Sequence, residues 1–220
     1  MLPIEVVVTR LDTGVEAVSA AERVLGRRER LRAASFVAER DRRRFVVARA
    51  RLRELLGSRL GVAPEAIELV YGPHGKPALG PAFADSDIRF NVAHSGDVAA
   101  YVLTRGLEVG IDVEVVRDIP EADRIAAGLF ARAESEAYRL LDPLDRQLAF
   151  FRCWTRKEAL LKALGDGIGL RLDRCAVSLA PGEPARILEI DGVPGDRCGF
   201  TLADFAPGRG LLGAVAVQAS

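Results

Sequence analysis

The sequence predicts an α+β protein made of two similar half-domains, a pseudo-dimer. Two observations predict this fold class. Hydrophobic residues make up 49% of the 220 residues, which is enough to build a sizeable core. The order strand, helices, strand, hairpin can be traced once before and once after residue 106. We therefore expect an N-terminal half at residues 1–106, a C-terminal half at residues 107–220, and a functional site in the cleft between them.

The first half begins with an apolar, β-branched segment at residues 4–9, which predicts a strand. Residues 20–34 predict one charged helix. Residues 41–60 predict a stronger helix, because apolar side chains recur at helical spacing and Gly61 follows as a stop signal. Further elements expected in this half are a strand at 67–71, a loop at 72–81 and a hairpin with strands at 88–92 and 98–104.

The second half begins with residues 107–115, in which valine and isoleucine alternate with Gly110, Asp112 and Glu114. This two-residue period predicts a half-buried strand with both carboxylates on its other face. The chain is expected to be helical again after Pro120. Its longest helix is expected at residues 144–164, and the remaining strands at 175–179, 186–190, 200–205 and 211–217.

Charge is balanced over the whole chain, with 31 basic and 31 acidic residues. This balance disfavours a general nucleic-acid binder and a membrane-surface protein. Residues 23–59 nevertheless hold 13 basic and 4 acidic residues, which suggests a local site for an anion. The alternative is a solvated, arginine-rich helix face. Only three of the basic residues are lysine, namely Lys76, Lys157 and Lys162.

No segment of the sequence indicates membrane insertion or export. The longest stretch without a charged residue has 11 residues, at 210–220, and is too short to span a bilayer. The N-terminus lacks the basic and apolar stretches of a signal peptide. The three cysteines are far apart, as expected of thiols in a reducing compartment. We therefore expect a soluble, cytoplasmic protein.

Acidic and basic side chains form two candidate motifs in the second half. Residues i and i+2 of a strand point the same way, so Asp112 and Glu114 can share one hard cation such as Mg²⁺. The alternative is a pair of acids on a solvent-facing strand. On the long helix, Glu158 and Lys162 lie one turn apart beside Lys157. The alternative for this second motif is an ordinary helix salt bridge.

Two further candidate motifs lie in the first half. His94, Ser95 and Gly96 follow a predicted strand and can offer ring N–H, hydroxyl and backbone donors to a phosphate. The alternative for His94 is a turn residue. Lys76 lies in the rigid loop at residues 72–81. The sequence has no Walker loop, no dinucleotide-binding glycine motif and no nucleophile elbow, which disfavours P-loop hydrolysis, a Rossmann cofactor and a serine hydrolase.

The order of these motifs carries a resemblance to a known family. The motifs are, in order, Gly75-Lys76-Pro77, the segment from Phe90 to Ser95, the segment from Gly110 to Glu114 and the segment from Trp154 to Lys162. Together they resemble the signature set of the phosphopantetheinyl transferases. The similarity is to the long, pseudo-duplicated (Sfp-type) branch of that family, and it extends over residues 27–169.

The resemblance implies transfer of the 4′-phosphopantetheine arm of coenzyme A to a serine of a carrier protein, with release of adenosine 3′,5′-bisphosphate. It implies a Mg²⁺ ion, or Mn²⁺ in its place, held by Asp112, Glu114 and Glu158. The base that takes the serine proton is either Glu158 or a water molecule on the metal, and both alternatives stay open. Lys162 is expected to face the phosphates or the leaving oxygen, and Glu134 matches an acid that the family places near the metal.

Coenzyme A is expected to contact basic and polar side chains of the first half. By resemblance, those that face its phosphates are Lys76, His94 and Ser95, with Arg27, Arg30 and Arg44 at the 3′-phosphate end. Arginine suits this task because its guanidinium binds phosphate in a bidentate manner. The resemblance also makes His94 a catalytic residue, together with Glu158 and Lys162. The family often has serine where this chain has Ala93, so one hydroxyl contact to phosphate is missing.

The expected partner is an acidic, helical acyl or peptidyl carrier domain, and the long branch of the family favours the carriers of secondary metabolism. We expect a monomeric enzyme with no nucleic-acid partner and no membrane partner. Two other interpretations stay open. One is a regulator that binds coenzyme A without catalysis, which Ala93 favours, and the other is a structural interaction module in which the motifs coincide by chance.

Overall fold

The repetition of elements is present in a computed structural model that describes residues 4–72, 75–165 and 172–219. One strand, three helices and further strands occur in this order twice. The first series is β1 (Glu5–Arg10), α1 (Val15–Val24), α2 (Arg27–Ala34), α3 (Glu39–Leu60), β2 (Leu69–Tyr71), β3 (Pro77–Leu79), β4 (Ile88–Ser95) and β5 (Val98–Arg105). The second is β6 (Val109–Val115), α4 (Ala122–Leu129), α5 (Arg132–Leu140), α6 (Pro143–Leu164), β7 (Cys175–Val177), β8 (Ile187–Ile190), β9 (Val193–Pro194), β10 (Phe200–Phe205) and β11 (Leu211–Gln218). The predicted α+β class is confirmed.

Small sheets organise the strands. Within the described residues their orders are β1-β5-β4, β10-β11-β6, β2-β3 and β7-β8-β9. Strands β4 and β5 are hydrogen-bonded neighbours, as the predicted hairpin requires, and Gly96 in their turn has a φ of +59° that favours glycine. Strand β11 pairs antiparallel with β10 on one side and with β6 on the other, and its Ala214 lies opposite Asp112.

The contacts divide the chain into two compact units. The first unit consists of residues 7–87 with 97–99, and the second consists of residues 4–6, 88–96 and 100–219. The second unit therefore includes strand β4 together with the whole second series of elements. The division into halves at residue 106 stays a prediction.

The core of the first unit lies between its helices. Buried residues of α1, α2 and α3 form one apolar cluster, which comprises Val18, Leu25, Ala33, Val46 and Ala50. The prediction of a single helix at 20–34 is wrong, because the chain is extended at Gly26 and begins a new helix there. The Gly26 N–H donates to the Glu29 carboxylate at 2.8 Å, so an acid in the first turn satisfies the new helix start.

The predicted loop at 72–81 is also corrected. Residues 77–79 form strand β3, which pairs antiparallel with β2. Proline is tolerated at Pro77 because it is the first residue of a short strand. Two residues of this loop, Pro73 and His74, lie outside the described residues, as does the stretch 166–169 at the end of the segment that carries the family resemblance.

Helix α6 is the central element of the second unit. Its start is fixed by Pro143 in the first turn and by Asp142, whose carboxylate accepts the Leu144 N–H at 2.9 Å. Gly165, with a φ of +80°, ends it. Its apolar face packs in a cluster that includes Phe150, Phe151, Leu160, Ala214 and Ala216. In the part of the chain that the structure describes, no helix is long and apolar enough to cross a membrane.

Candidate active site

Strand β6 and helix α6 approach each other closely at Gly110. A Cβ atom placed on Gly110 would lie 2.1 Å from the Ala159 carbonyl oxygen and 2.4 Å from the Ala163 nitrogen, so only glycine fits. The prediction of a half-buried β6 is therefore wrong, because α6 covers the face on which the sequence places the carboxylates. Asp112 is only 6% exposed. This excludes the alternative of a solvent-facing acid for Asp112.

Asp112 pairs with a lysine of α6. The Lys162 ammonium donates to Asp112 Oδ1 at 2.6 Å, and the two side chains are 29% and 8% exposed. Burial raises the pKa of the Asp112 carboxyl to about 7, although the charge and hydrogen bond of Lys162 act to lower it. The negative charges of Glu158 and Glu114 raise that pKa further. The sequence placed these four residues in one site, and electrostatics now links all of them through Asp112.

The second oxygen of Asp112 is buried and has no hydrogen-bond donor. Within the described residues, only Thr13 Oγ1 shares this condition. A buried carboxylate oxygen without a partner is costly, and such a group calls for a water molecule or an ion as its partner. Carboxylate oxygens are the ligands that Mg²⁺ takes in proteins. The chemistry of Asp112, Glu114 and Glu158 therefore fits a hard divalent cation.

The carboxylates are not gathered into a finished metal site. Among the described residues, no group of three histidine, cysteine or acidic side chains stands in a metal-binding arrangement. Lys162 neutralises Asp112, and Glu114 is engaged by another residue, Ser95. The Ser95 hydroxyl donates to Glu114 Oε2 at 2.6 Å and accepts the Val115 N–H at 3.1 Å. Binding a cation at Asp112 would require the Lys162 ammonium to move away from that carboxylate.

Lys157 has a different environment from Lys162. Its side chain is fully buried, and its ammonium donates to Glu134 Oε2 and to the Cys175 carbonyl oxygen. The Glu134 carboxylate also accepts the N–H groups of Ala131 and Val177, each at 2.7 Å. These three donors occupy both oxygens of Glu134. Glu134 is thus a buried link among α5, α6 and β7, and its expected place near the metal stays a prediction.

The basic residues expected to hold coenzyme A lie partly in the first unit. Arg44 forms a bidentate pair with Asp12, with both contacts at 2.7 Å. The hydrogen bond from Arg44 lowers the pKa of Asp12, and the charges of Arg40 and Arg43 act in the same direction. A cavity of about 250 Å³ lies here, lined by Leu11, Asp12, Thr13, Glu39, Arg40 and Arg43. The lining of this cavity thus holds two arginines of the basic segment, Arg40 and Arg43, together with two acids, Asp12 and Glu39.

The other predicted contacts are spread over both units. Arg27 and Arg30 are exposed on α2, and neither has an ion-pair partner among the described residues. Lys76 is half-buried in the first unit. His94 is exposed at the end of β4 in the second unit. For Arg27 and Arg30, the alternative of a solvated helix face stays open.

Ala93, where the family often has serine, is 3% exposed. It lies between Asn91 and Ser95 on one face of β4, because alternate residues of a strand share a face. Position 93 is thus buried beside Ser95 rather than exposed like His94.

Two features of the site have no place in the sequence predictions. One is the close approach at Gly110, which glycine inside a strand pattern can signal. The other is Asn91, a buried residue whose Oδ1 accepts the Ile111 N–H of β6 at 3.1 Å. A polar residue among the apolar neighbours of a predicted strand is the signal for such a contact.

Family comparisons agree with this arrangement. The model of the 4′-phosphopantetheinyl transferase superfamily matches residues 108–200. The model of the N-terminal domain of 4′-phosphopantetheinyl transferases matches residues 14–104. The two matches adjoin and together cover most of the chain, as two half-domains in sequence would.

Several curated proteins are similar to this chain. The 4′-phosphopantetheinyl transferase HetI of Nostoc sp. is 39% identical over 176 residues, which cover 77% of this chain and 74% of that protein. The L-aminoadipate-semialdehyde dehydrogenase-phosphopantetheinyl transferase of Homo sapiens is 32% identical over 70% of this chain, and the 4′-phosphopantetheinyl transferase AcpT of Salmonella typhimurium is 39% identical over 51% of it. The matches span 52% of the human protein and 56% of AcpT. The chain therefore belongs to the 4′-phosphopantetheinyl transferase superfamily and is an enzyme of that class.

Proposed function

We propose that this enzyme transfers the 4′-phosphopantetheine arm of coenzyme A to a serine of an acyl or peptidyl carrier protein. We further propose that the reaction depends on Mg²⁺ and releases adenosine 3′,5′-bisphosphate. The observation that carries the proposal is the state of Asp112. This buried carboxylate has one oxygen bound by Lys162 and one oxygen without a donor, in the field of Glu114 and Glu158.

In the proposed reaction, the serine oxygen forms a bond to the β-phosphorus of coenzyme A. The bond from that phosphorus to the departing adenosine bisphosphate breaks, and the serine hydroxyl loses its proton. Phosphoryl transfer of this kind depends on positioning and on neutralising charge. Glu158, partly exposed one turn before Lys162 on α6, is the proposed proton acceptor, either directly or through a water molecule.

Asp112, Glu114 and Glu158 are the residues proposed to hold the divalent cation. When bound, such a cation neutralises charge on the pyrophosphate and orients it. Lys162 now balances Asp112, and a cation at Asp112 would free the ammonium group to donate to a phosphate oxygen. Lys162 thus has a proposed place in the enzyme both with and without its substrate.

The nucleotide end of coenzyme A is proposed to bind basic side chains of the first unit. A phosphate dianion would compete with Asp12 for the guanidinium of Arg44, because both offer two oxygens in the geometry that arginine binds. Arg27 and Arg30 are exposed and could reach a phosphate by side-chain rotation alone. Lys76 and His94 are the further proposed contacts to the phosphates.

The test is an incubation of the protein with Mg²⁺, coenzyme A and a panel of apo carrier proteins. Intact-protein mass spectrometry should show each accepted carrier gaining one phosphopantetheine arm, and chromatography should show adenosine 3′,5′-bisphosphate in equal amount. Chelation by EDTA should stop the mass gain, and added Mg²⁺ should restore it.

Several outcomes would contradict the proposal. A mass gain that persists in EDTA would remove the cation from the reaction. Tight binding of coenzyme A in calorimetry, with no turnover over the whole carrier panel, would favour a regulator that binds coenzyme A without catalysis. A folded protein with no affinity for coenzyme A would leave a structural interaction module.

A further inference from the structure

Strands β4 and β6 are joined through side chains of β4. Each lies at the edge of its own three-stranded sheet. Asn91 Oδ1 accepts the Ile111 N–H at 3.1 Å, and Ser95 Oγ accepts the Val115 N–H at the same distance. Both bonds join residues 20 positions apart, so the two strands run in the same direction along this contact. Two side-chain oxygens of β4 therefore accept backbone N–H groups of β6, as carbonyl oxygens do between the strands of a sheet.

A third contact extends this connection. The Arg89 guanidinium donates to the Glu108 carboxylate at 3.1 Å, just before the two strands come together. Residues 89, 91, 93 and 95 lie on one face of β4. All three contacts come from this face, through Arg89, Asn91 and Ser95, and Ala93 lies between the last two. The contacts fix the position of β6 at its beginning, its middle and its end.

Ser95 also binds a carboxylate of the active site. Its hydroxyl donates to Glu114 Oε2 at 2.6 Å while accepting the Val115 N–H. A serine hydroxyl can donate one hydrogen bond, and Ser95 donates it to Glu114. Ser95 therefore has no proton left for a phosphate of coenzyme A as long as this bond exists. Hydrogen bonds to an ionised carboxylate are short and strong, which agrees with the 2.6 Å distance.

We infer that Ser95 is a positioning residue that holds the Glu114 carboxylate in the orientation from which it binds the divalent cation, with Asn91 fixing the strand behind it. The inference rests on the proposed function, since it assigns Glu114 to the cation. It replaces direct phosphate contact as the role of Ser95. Hydrogen-bond partners behind a metal ligand typically change metal affinity by roughly 10- to 100-fold.

The experiment compares Mn²⁺ binding by the purified full-length wild-type and Ser95→Ala proteins, measured by electron paramagnetic resonance of free Mn²⁺. The affinity of Ser95→Ala for Mn²⁺ should fall by roughly 10- to 100-fold, as for other residues behind a metal ligand. Ser95→Thr keeps the hydroxyl and should restore most of the affinity. Coenzyme A affinity in EDTA, measured by calorimetry, should stay within about twofold of wild type, because the phosphates lose no contact.

A matched control comes from the neighbouring strand. Thr104 is buried, and its hydroxyl donates to the Leu107 carbonyl oxygen at 2.7 Å without touching a carboxylate. Thr104→Val removes a comparable hydrogen bond and should leave Mn²⁺ affinity unchanged. A double-mutant cycle adds a second test. Once Glu114→Gln has been made, adding Ser95→Ala should cause no further loss of Mn²⁺ affinity.

Each result decides between the roles. Mn²⁺ affinity of Ser95→Ala within twofold of wild type, or a second loss on top of Glu114→Gln, would overturn the inference. A loss of coenzyme A affinity in EDTA would make Ser95 a phosphate contact instead. If the wild-type protein binds Mn²⁺ in a Ser95-dependent way but modifies no carrier, the proposed function fails and the positioning role of Ser95 stands.

Discussion

Two lysines five residues apart on α6 have opposite kinds of environment. Lys157 is fully buried, pairs with a fully buried Glu134, and has a carbonyl oxygen as a second acceptor. Lys162 is 29% exposed and pairs with Asp112, of which one oxygen has no donor. Every oxygen of the first pair's carboxylate has a donor, while the second pair leaves one unsatisfied.

The difference distinguishes a charge pair whose hydrogen bonds are complete from one that we propose to serve the reaction. Removing one member of a complete buried pair leaves an unpaired charge and destabilises the protein. In the incomplete pair, the carboxylate oxygen without a donor is available to bind a further donor or a cation. We therefore expect substitutions at Glu134 to change mainly stability and substitutions at Asp112 to change mainly activity.

The largest expected effect is that of Asp112→Asn on phosphopantetheine transfer. The rate should fall by roughly 10³-fold or more, about 4 kcal/mol, because the proposed cation would lose a charged ligand. Initial rates at saturating coenzyme A provide the measurement. Asp123→Asn is the matched control, since Asp123 is 70% exposed and its contact to Arg146 is 3.5 Å long. A rate for Asp112→Asn within tenfold of wild type would contradict the assignment.

The converse effect is expected at Glu134. Glu134→Ala should lower the free energy of unfolding by about 3–5 kcal/mol, because the Lys157 ammonium stays buried without its partner. Urea denaturation followed by tryptophan fluorescence gives this value. Glu136→Ala breaks an exposed pair with Arg132 and should cost less than about 1 kcal/mol. If Glu134→Ala and Glu136→Ala lowered the free energy of unfolding equally, the buried pair would not stabilise the fold more than the exposed pair.

A pH dependence should appear in the protein kept free of metal by EDTA. The pKa of Asp112 is about 7 in the fold against an ordinary value of 3.8 for an aspartate. The folded state therefore binds the Asp112 proton more tightly than the unfolded state does. The stabilisation that this proton gives to the fold is complete below pH 4 and is lost as pH rises through 7. A pKa difference of about 3 corresponds to about 4 kcal/mol as an upper bound.

Asp112→Asn provides the reference for this measurement, because it removes only this titration. The difference in unfolding free energy between the wild-type protein and the variant should shift against the wild type between pH 4 and pH 8. A difference that stays constant over this range, or shifts toward the wild type, would show that burial does not raise the Asp112 pKa.

The smallest expected effect is that of Lys162→Arg, a roughly 10²-fold loss of rate, or about 2.7 kcal/mol. A guanidinium is a wide, planar donor and cannot replace a compact ammonium beside the buried Asp112 carboxylate. The melting temperature should change little, since the charge is kept. Wild-type activity in Lys162→Arg would mean that any positively charged side chain at this position suffices.

Local sequence signals predicted most of the fold. Helix α6 spans Pro143–Leu164 against a prediction of 144–164, because its periodic apolar residues and its terminal Pro143 and Gly165 act within the helix itself. The break at Gly26 was outside these signals. It depends on the Glu29 side chain capping a new helix, a contact that an arginine-rich pattern does not reveal.

The sequence predicted that charged residues of β6 and α6 lie near one another but not that Asp112 is buried, and the roles of the site residues stay predictions. The motifs placed Asp112, Glu158 and Lys162 together, and the structure brings them within one electrostatic cluster. Burial of β6 on both faces could not be predicted, because its alternating pattern is typical of a strand with one solvated face. Only the covering helix decides this, and its approach depends on the long-range contact at Gly110.

Gly110 has a consequence for engineering the enzyme. The atoms that a Cβ at this position would strike belong to the backbone of α6, at Ala159 and Ala163, rather than to flexible side chains. The spacing between the strand and the helix is therefore independent of which side chains the two elements carry. Any residue with a Cβ at position 110 would therefore force β6 and α6 apart, so a library of variants in this region should leave Gly110 unchanged.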